Sequence, residues 1–324
     1  MTLIIVACSG VETVLTSDCR GTRPDGSEVD LGKAVSVVWP RASFLVAYTG
    51  LAELYPSGTA KSPSLRTRTW LIDQFLNVLR PDIAINEVLV HLRDAATREV
   101  NRFRVTREED KYLTIFGAGY GYTDEGAQAG AWQISNFENF KGETRPFGPF
   151  EIEVCMPEGG RYAAVVGLWH KEVDGPMNEL GQLAASGAPG AALEGKSVEI
   201  IRHFAASPSS QGKIGATCTT SWLNFDPSKP VVGGHHAADG SGEPVMHDIV
   251  ACDPKVEEKT FAMYDFKMDL TLTADDGTVH HEIFARPLES GLCSCGSNKR
   301  FEKCHGKPID RRRIGGQVDD SGFQ

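Results

Sequence analysis

No stretch of the 324-residue chain approaches the ~20 consecutive apolar residues that a membrane-spanning helix needs. The N-terminus also lacks the basic region, long apolar core and small-residue cleavage site of a signal peptide, so a cytoplasmic protein is expected. Positive charge is in short supply: 33 Lys and Arg stand against 43 Asp and Glu, for a formal net charge of −10. Such a surface does not neutralise phosphates over a broad area, which argues against nucleic acids and anionic membranes as partners. No low-complexity tract interrupts a composition of 41% hydrophobic and 23% charged residues, that of an ordinary globular protein of one large domain or two smaller ones. The eight cysteines do not form a disulfide pattern. Cys8, Cys19, Cys155, Cys218 and Cys252 are scattered, mostly in apolar strand-like contexts, and are expected to be buried thiols in a reducing compartment; the other three lie close together near the C-terminus.

What is present is concentrated in the first fifty residues. Apolar runs at Leu3–Ala7, Val11–Leu15, Ala34–Trp39 and Phe44–Tyr48, separated by Gly, Asp and Arg, predict two β-hairpins. Thr2 follows Met1, and a small residue there normally allows the initiator methionine to be trimmed, leaving a threonine with a free α-amine. A threonine hydroxyl is a weak nucleophile without a base beside it, and an N-terminal threonine carries its own base, with a reference pKa of about 8. Asp18 closes the second strand, Lys33 opens the third and Gly50 ends the fourth. A lysine ammonium near the hydroxyl and amine would favour the developing alkoxide, an aspartate would hold that lysine, and the Gly50 N–H could receive an oxyanion. Singly these residues have ordinary structural explanations as a turn, a strand-end charge and a helix start; in this order they are the residue types of N-terminal nucleophile chemistry.

The stretch resembles the start of proteasome β-subunits and their bacterial relatives, the N-terminal nucleophile hydrolases. Asp18 falls 16 residues after Thr2 as in that family, and Lys33 falls 31 after it, one short of the family spacing. The tracts SDCRGT and AYTGLAEL resemble the family's Ser/Ala-Asp-x-Arg and its strand–Gly–helix junction. Two positions depart from the pattern. Leu168 follows Gly167 where the family has Gly-Ser-Gly, and in SPSSQGKIG (207–215) Ser210 and Gly212 match while Ser207 stands where the family has an aspartate. The resemblance implies a supporting catalytic role for Ser210 and leaves the acid partner missing or supplied elsewhere. Cys8 as an alternative nucleophile fails on register, since Asp18 would lie only ten residues downstream and the first strand would be consumed.

Further along, the polar segment 22–32 is either a solvated connection or a wall of the substrate pocket. A helix is expected near 64–79, with Leu65, Trp70, Leu71, Phe75 and Leu79 on one side and Pro81 as its stop, and a second over 86–103 with Val88, Leu89, Leu92, Ala96, Val100 and Phe103 at helical spacing. KYLTIFGAGYG and GAWQISNF predict two strands about a polar turn. The GAGYG tract has neither the spacing nor the following helix of a phosphate-binding loop. A strand at 161–170, a helical pair at 173–186 and 190–206 broken at GAPG, and a strand-rich remainder follow, with a hairpin about Asp276-Gly277. The order ββ, αα, ββ, αα, ββ is that of an α+β fold in which two stacked antiparallel sheets carry a helical layer on each outer face, a four-layer αββα sandwich. His235 and His236 read as a loop doublet and His280 and His281 as a strand pair, without metal-ligand spacing.

Near the C-terminus, CSCGSNKRFEKCH places Cys293, Cys295, Cys304 and His305 at a spacing that suits tetrahedral zinc, and so short a knuckle has no other means of ordering itself. It resembles the SEC-C motif found at the end of the bacterial preprotein translocase ATPase. Four protein ligands leave no open position, so the zinc is expected to be structural. Lys299, Arg300 and Lys303 form a basic face that is either ordinary solvated charge or, as the resemblance implies, a docking surface for a protein partner.

The expected organisation is a proteasome-like domain over 1–265, a hairpin connection over 266–290, the zinc knuckle over 291–306 and a disordered tail over 307–324. Two functions follow from it. One is an amide-bond hydrolase, threonine peptidase-like, that acts through Thr2 on a peptide or small amide and is recruited to a partner through the knuckle. The other is a scaffold that has lost catalysis and binds proteins through the knuckle. Proteasome relatives form closed rings, so a homo-oligomer is open to this chain as well.

Overall fold

The computed structural model describes residues 2–22, 28–30, 32–54, 65–102, 111–124, 126–140, 142–167, 171–226, 231–244, 249–252 and 259–262. Met1, Leu168, the 266–290 hairpin, the knuckle residues Cys293, Cys295, Cys304 and His305, and the tail lie outside the described residues, as do Phe103 and the His280–His281 pair.

The chain opens with the two expected hairpins, β1 (Leu3–Ser9) with β2 (Glu12–Asp18) and β5 (Ala34–Trp39) with β6 (Ala42–Gly50). Between them, β3 (Arg20–Thr22) and β4 (Glu28–Asp30) pair as a small ribbon, so the 22–32 segment is in part a hairpin of its own rather than a plain connection. β7 (Glu53–Leu54) pairs with β8 (Leu65–Arg66), and α1 (Thr67–Val78) starts after that pairing, three residues later than periodicity predicts, because the backbone of 65–66 is committed to a ladder. Next come α2 (Ile85–Asn101), β9 (Leu113–Thr123), β10 (Gly126–Ser135), β11 (Glu151–Cys155) and β12 (Arg161–Gly167). They are followed by α3 (Asp174–Ala185) and α4 (Gly190–Ala206), close to the expected helical pair. The strands β13 (Cys218–Asn224), β14 (Val232–His236), β15 (Gly242–Pro244), β16 (Ile249–Cys252) and β17 (Lys259–Ala262) complete the described fold.

These strands form two main sheets, ordered β12-β1-β2-β13-β14-β15 and β11-β10-β9-β6-β5-β16-β17. Alternation along each strand assigns its side chains to two layers. Ile4, Val6 and Cys8 of β1 meet Leu45 and Ala47 of β6 and Phe116, Ala118 and Tyr120 of β9 in a core between the sheets. The opposite face of β1, with Leu3, Ile5 and Ala7, packs on Leu180, Leu193, Ile201 and Phe204 of α3 and α4. Phe44, Val46 and Tyr48 of β6 pack on Trp70, Phe75, Leu89 and Leu92 of α1 and α2. The result is the layered order helices, sheet, sheet, helices.

Three local expectations are corrected. β16 runs parallel to β5, whereas the second sheet is otherwise antiparallel. A hairpin forces antiparallel pairing, but β16 reaches β5 by crossing from the other sheet and is under no such constraint. His235 and His236 lie on β14 rather than in a loop, and His236 meets the Glu194 carboxylate at 3.0 Å. Cys155, on the edge strand β11, is exposed, unlike the buried Cys8, Cys19 and Cys218.

The GAGYG tract lies within β9, and its glycines are explained by close approach. An added Cβ at Gly117 would come within 2.2 Å of the Trp132 ring, which packs across it from the paired position on β10. Gly117→Ala is therefore expected to lower stability by about 1–3 kcal/mol through overpacking, measured as a shift in the urea unfolding midpoint.

Candidate active site

β1 begins beside the end of β2, and its first residue is tied to that end. The Leu3 N–H donates to Asp18 Oδ1 at 2.9 Å. Asp18 Oδ2 accepts from the N–H groups of Arg20 at 3.0 Å and Gly215 at 3.4 Å. The Lys33 ammonium donates to the two carboxylate oxygens at 3.4 and 3.3 Å, and to the Arg20 carbonyl at 2.7 Å. The side chains of Asp18 and Lys33 are 0% and 2% exposed. A carboxylate taken out of water is tolerable only when its lone pairs are satisfied, and three backbone donors plus an ammonium achieve that here. The donors come from the entry to β1, the exit of β2, the start of β5 and the loop before β13, so a single charged group gathers four segments.

Thr2 is 4% exposed and directly precedes Leu3. Alternation places it on the side of Ile4 and Val6, facing the second sheet. There its N–H donates to Thr49 Oγ1 at 3.2 Å, and the Thr49 hydroxyl donates back to the Thr2 carbonyl at 3.3 Å. Gly50, next to Thr49, has φ +92°, and an added Cβ would come within 2.0 Å of the Tyr112 carbonyl, so a glycine is required for β6 to pass β9 at that point. Of the five residues expected to form the site, the structure pairs Asp18 with Lys33, ties them to Leu3, the residue after Thr2, and sets Gly50 beside Thr49, which holds the Thr2 backbone. Ser210 is buried, but its hydroxyl donates to the carbonyls of Ala205 and Ser207 and accepts from the Gly212 N–H, closing its own turn. Its link to the others is indirect, through the loop that delivers Gly215 to Asp18 and Gly212 to the Arg20 guanidinium. Ser207 and Ser209 hydrogen-bond the Glu172 carboxylate, well away from Thr2 in chain and partner.

Motif reasoning missed a second group of residues. Thr49, Thr114 and Ser135 are directly opposite one another across β6, β9 and β10, all on the inter-sheet side and all buried. Thr114 and Ser135 hydroxyls are 2.8 Å apart, and Ser135 Oγ accepts from the N–H groups of Phe137 and Glu138. Glu138 is 1% exposed. Burial raises the pKa of its carboxyl above the usual value, against the opposing pull of the Thr114 hydroxyl, the Gly167 N–H and the Arg145 charge. Gly167 has φ +95°, and an added Cβ there would come within 2.1 Å of the Thr2 carbonyl and 3.0 Å of Thr49 Oγ1. The visible signal for this group is a hydroxyl-bearing residue at one end of three otherwise apolar strands, in YTG, YLT and QISN.

No protein-family model matches the chain, and no curated protein sequence matches it. Among solved structures, the chain is similar to Anbu (ancestral beta-subunit) from Yersinia bercovieri, at 10% identity over 74% of this chain and 88% of that one, with a TM-score of 0.47. An Anbu (Gly-1) mutant from Hyphomicrobium sp. strain MC1 shares 11% identity over 74% and 89%, with a TM-score of 0.49. A helical assembly of the Anbu complex from Pseudomonas aeruginosa shares 10% over 73% and 87%, with a TM-score of 0.47.

The buried ion pair generates a thermodynamic expectation. Lys33→Met leaves the Asp18 charge sealed from water without its counter-charge and should cost about 3–5 kcal/mol. The double variant Asp18→Asn/Lys33→Met should cost less than the sum of the two single changes, because no uncompensated charge then remains. Urea unfolding of the four proteins measures the coupling.

Proposed function

We propose that the chain is an amide-bond hydrolase of the N-terminal nucleophile type, with Thr2 as nucleophile once Met1 has been removed. The observation that carries this reading is the Asp18–Lys33 pair, sealed from water and hydrogen-bonded to the residue that follows Thr2. A buried charge pair is an expensive way to brace a strand end, since apolar residues of similar volume often do as well or better. An ammonium fixed through Asp18 to the residue after a threonine gains a purpose when that threonine's hydroxyl must become an alkoxide.

In this mechanism the Thr2 hydroxyl adds to the carbonyl carbon of a peptide or small amide while its proton passes to the Thr2 α-amine. The Gly50 N–H receives the oxyanion, and the Lys33 ammonium, braced by Asp18, favours the negative charge that develops on Thr2 Oγ1. Collapse expels the amine with the proton held by the α-ammonium. Water, deprotonated by the same α-amine, then cleaves the Thr2 ester and regenerates the hydroxyl.

The C-terminal segment completes the proposal. Cys293, Cys295, Cys304 and His305 are a donor set of three thiolates and one imidazole that would hold zinc with no open position, giving the ion a structural role and the basic knuckle around it a role in docking a protein partner. A second reading, a scaffold without catalysis that works through this knuckle, is favoured by Ser210, whose hydroxyl is engaged within its own turn.

Intact mass spectrometry of the protein before and after treatment with an epoxyketone or β-lactone separates the two readings. Loss of Met1 and a covalent adduct that disappears in Thr2→Ala is the expected result; retained Met1 with no adduct overturns the hydrolase. Elemental analysis is expected to find zinc in equimolar amount in the wild type and little in Cys304→Ser, and equal metal in the two would overturn the knuckle.

A further inference from the structure

The Asp18–Lys33 pair is tied to the residue after Thr2, and because its two charges offset one another it adds little net negative charge to stabilise the ammonium that the Thr2 α-amine becomes as a base. Toward the second sheet, beyond the apolar core of Ile4, Val6, Leu45 and Phe116 and the buried hydroxyls at its margin, lies a buried carboxylate. Glu138 is sealed at the end of the row Thr49, Thr114, Ser135, with its own N–H on Ser135 Oγ and its carbonyl accepting from Gln133 Nε2 at 3.0 Å. Its carboxylate faces the Thr114 hydroxyl and the Gly167 N–H. Each leads to Thr2: Thr114 is the cross-strand partner of Thr49, which holds the Thr2 N–H and carbonyl, and Gly167 packs against that same carbonyl. Glu138 Oε1 has no hydrogen-bond partner although it is buried. An unsatisfied buried acceptor costs free energy, about 1–3 kcal/mol in general and more for a charged group, so a structural role alone is a poor reason to keep a glutamate there.

Resting on the hydrolase reading above, we propose that Glu138 is a positioning residue of the Thr2 site. Acting through Thr114, Thr49 and Gly167, it orients the Thr2 α-amine and supplies the negative charge that stabilises the ammonium formed when that amine takes the hydroxyl proton. The proton balance is internal: the O–H bond of Thr2 breaks and an N–H bond forms on its own amine, with no proton passing to or from Glu138.

The charged groups around this arrangement are few. Asp18 and Lys33 face Thr2 from β2 and the start of β5, and their charges offset one another. Arg145 faces Glu138 from the segment after β10, where Glu151 and Glu153 of β11 partner it. The neighbours from β6, β9 and β10 are hydroxyls, and β12 offers only the backbone of Gly167. Among these described charged groups, Glu138 is the one without a close ion pair.

The test reads the amine directly and does not depend on turnover. Protein released from a fusion so that Thr2 is the first residue, labelled with ¹⁵N-threonine, allows the α-amine to be titrated by NMR in the wild type, Glu138→Gln and Glu138→Asp. Gln keeps the shape and the acceptor for Gly167 but lacks the charge. The titration midpoint of the Thr2 amine is expected to fall by about one pH unit in Glu138→Gln, because a nearby negative charge favours the ammonium, and to be largely restored in Glu138→Asp. The acid limb of the pH profile for epoxyketone adduct formation should move the same way. An unchanged midpoint in a folded Glu138→Gln overturns the inference. Wild-type protein with a free Thr2 that forms no adduct overturns the hydrolase reading instead, and the titration still decides whether Glu138 acts on the amine. Melting curves check folding and carry a sign of their own. With its pKa raised, the folded Glu138 binds its proton more tightly than the unfolded chain does, so its contribution weakens the fold as pH rises above the ordinary carboxylate range. Glu138→Gln should accordingly be at least as stable as the wild type at pH 7, with the advantage gone near pH 4, whereas a glutamate kept for structure would leave the variant less stable at pH 7.

Discussion

Four pieces of chain converge on the carboxylate of Asp18, and each brings it a hydrogen-bond donor. The entry to β1, the backbone leaving β2, the lysine that opens β5 and the loop ahead of β13 all end their hydrogen bonds there. In a medium that excludes water the arrangement is all or nothing: with every donor in place the charge is tolerated, and with one removed it is not. The strand ends around Thr2 inherit their precision from this constraint. Thr2 itself is held through its backbone, by the Leu3 tie to Asp18 on one side and by Thr49 on the other.

The sheets supply the second constraint. Because their inner faces interdigitate, residues from β1, β6 and β9 that are far apart in sequence lie in one core, and the polar residues at the strand ends are trapped with them. The apolar interior stabilises the sandwich through area removed from water. The hydroxyl row from Thr49 to Ser135 is the polar margin of that interior. It brings Glu138, on a segment with no motif, to the same end of the sandwich as a threonine at the other extreme of the described N-terminal strand.

Much of the architecture could be read from local patterns. Apolar runs marked the first two hairpins, helical spacing marked α2, α3 and α4 to within a residue or two, and the β9–β10 hairpin followed from two apolar runs about a polar turn. The start of α1 could not be read, because Leu65 and Arg66 have no local reason to prefer a two-residue ladder with Glu53 and Leu54 over another helical turn. Neither could the parallel placement of β16 beside β5, a pairing across two hundred residues that no turn dictates. In the candidate site, Thr2, Asp18 and Lys33 were legible as residue types in order. Ser210 was legible only by resemblance, and its hydroxyl turns out to serve its own loop.

Residue identity and short-range spacing were thus settled by the sequence alone: which segments are apolar runs, which repeat at helical period, which cysteines and histidine lie close together along the chain, and that a threonine follows Met1. Which charges are buried, which hydroxyls stand opposite one another and which glutamate reaches Gly167 were decided only when the sheets stacked. Cross-strand register and the closure of one sheet on another depend on contacts separated by tens to hundreds of residues. No local free-energy preference encodes them until the core between the sheets excludes water and makes each unsatisfied polar atom costly.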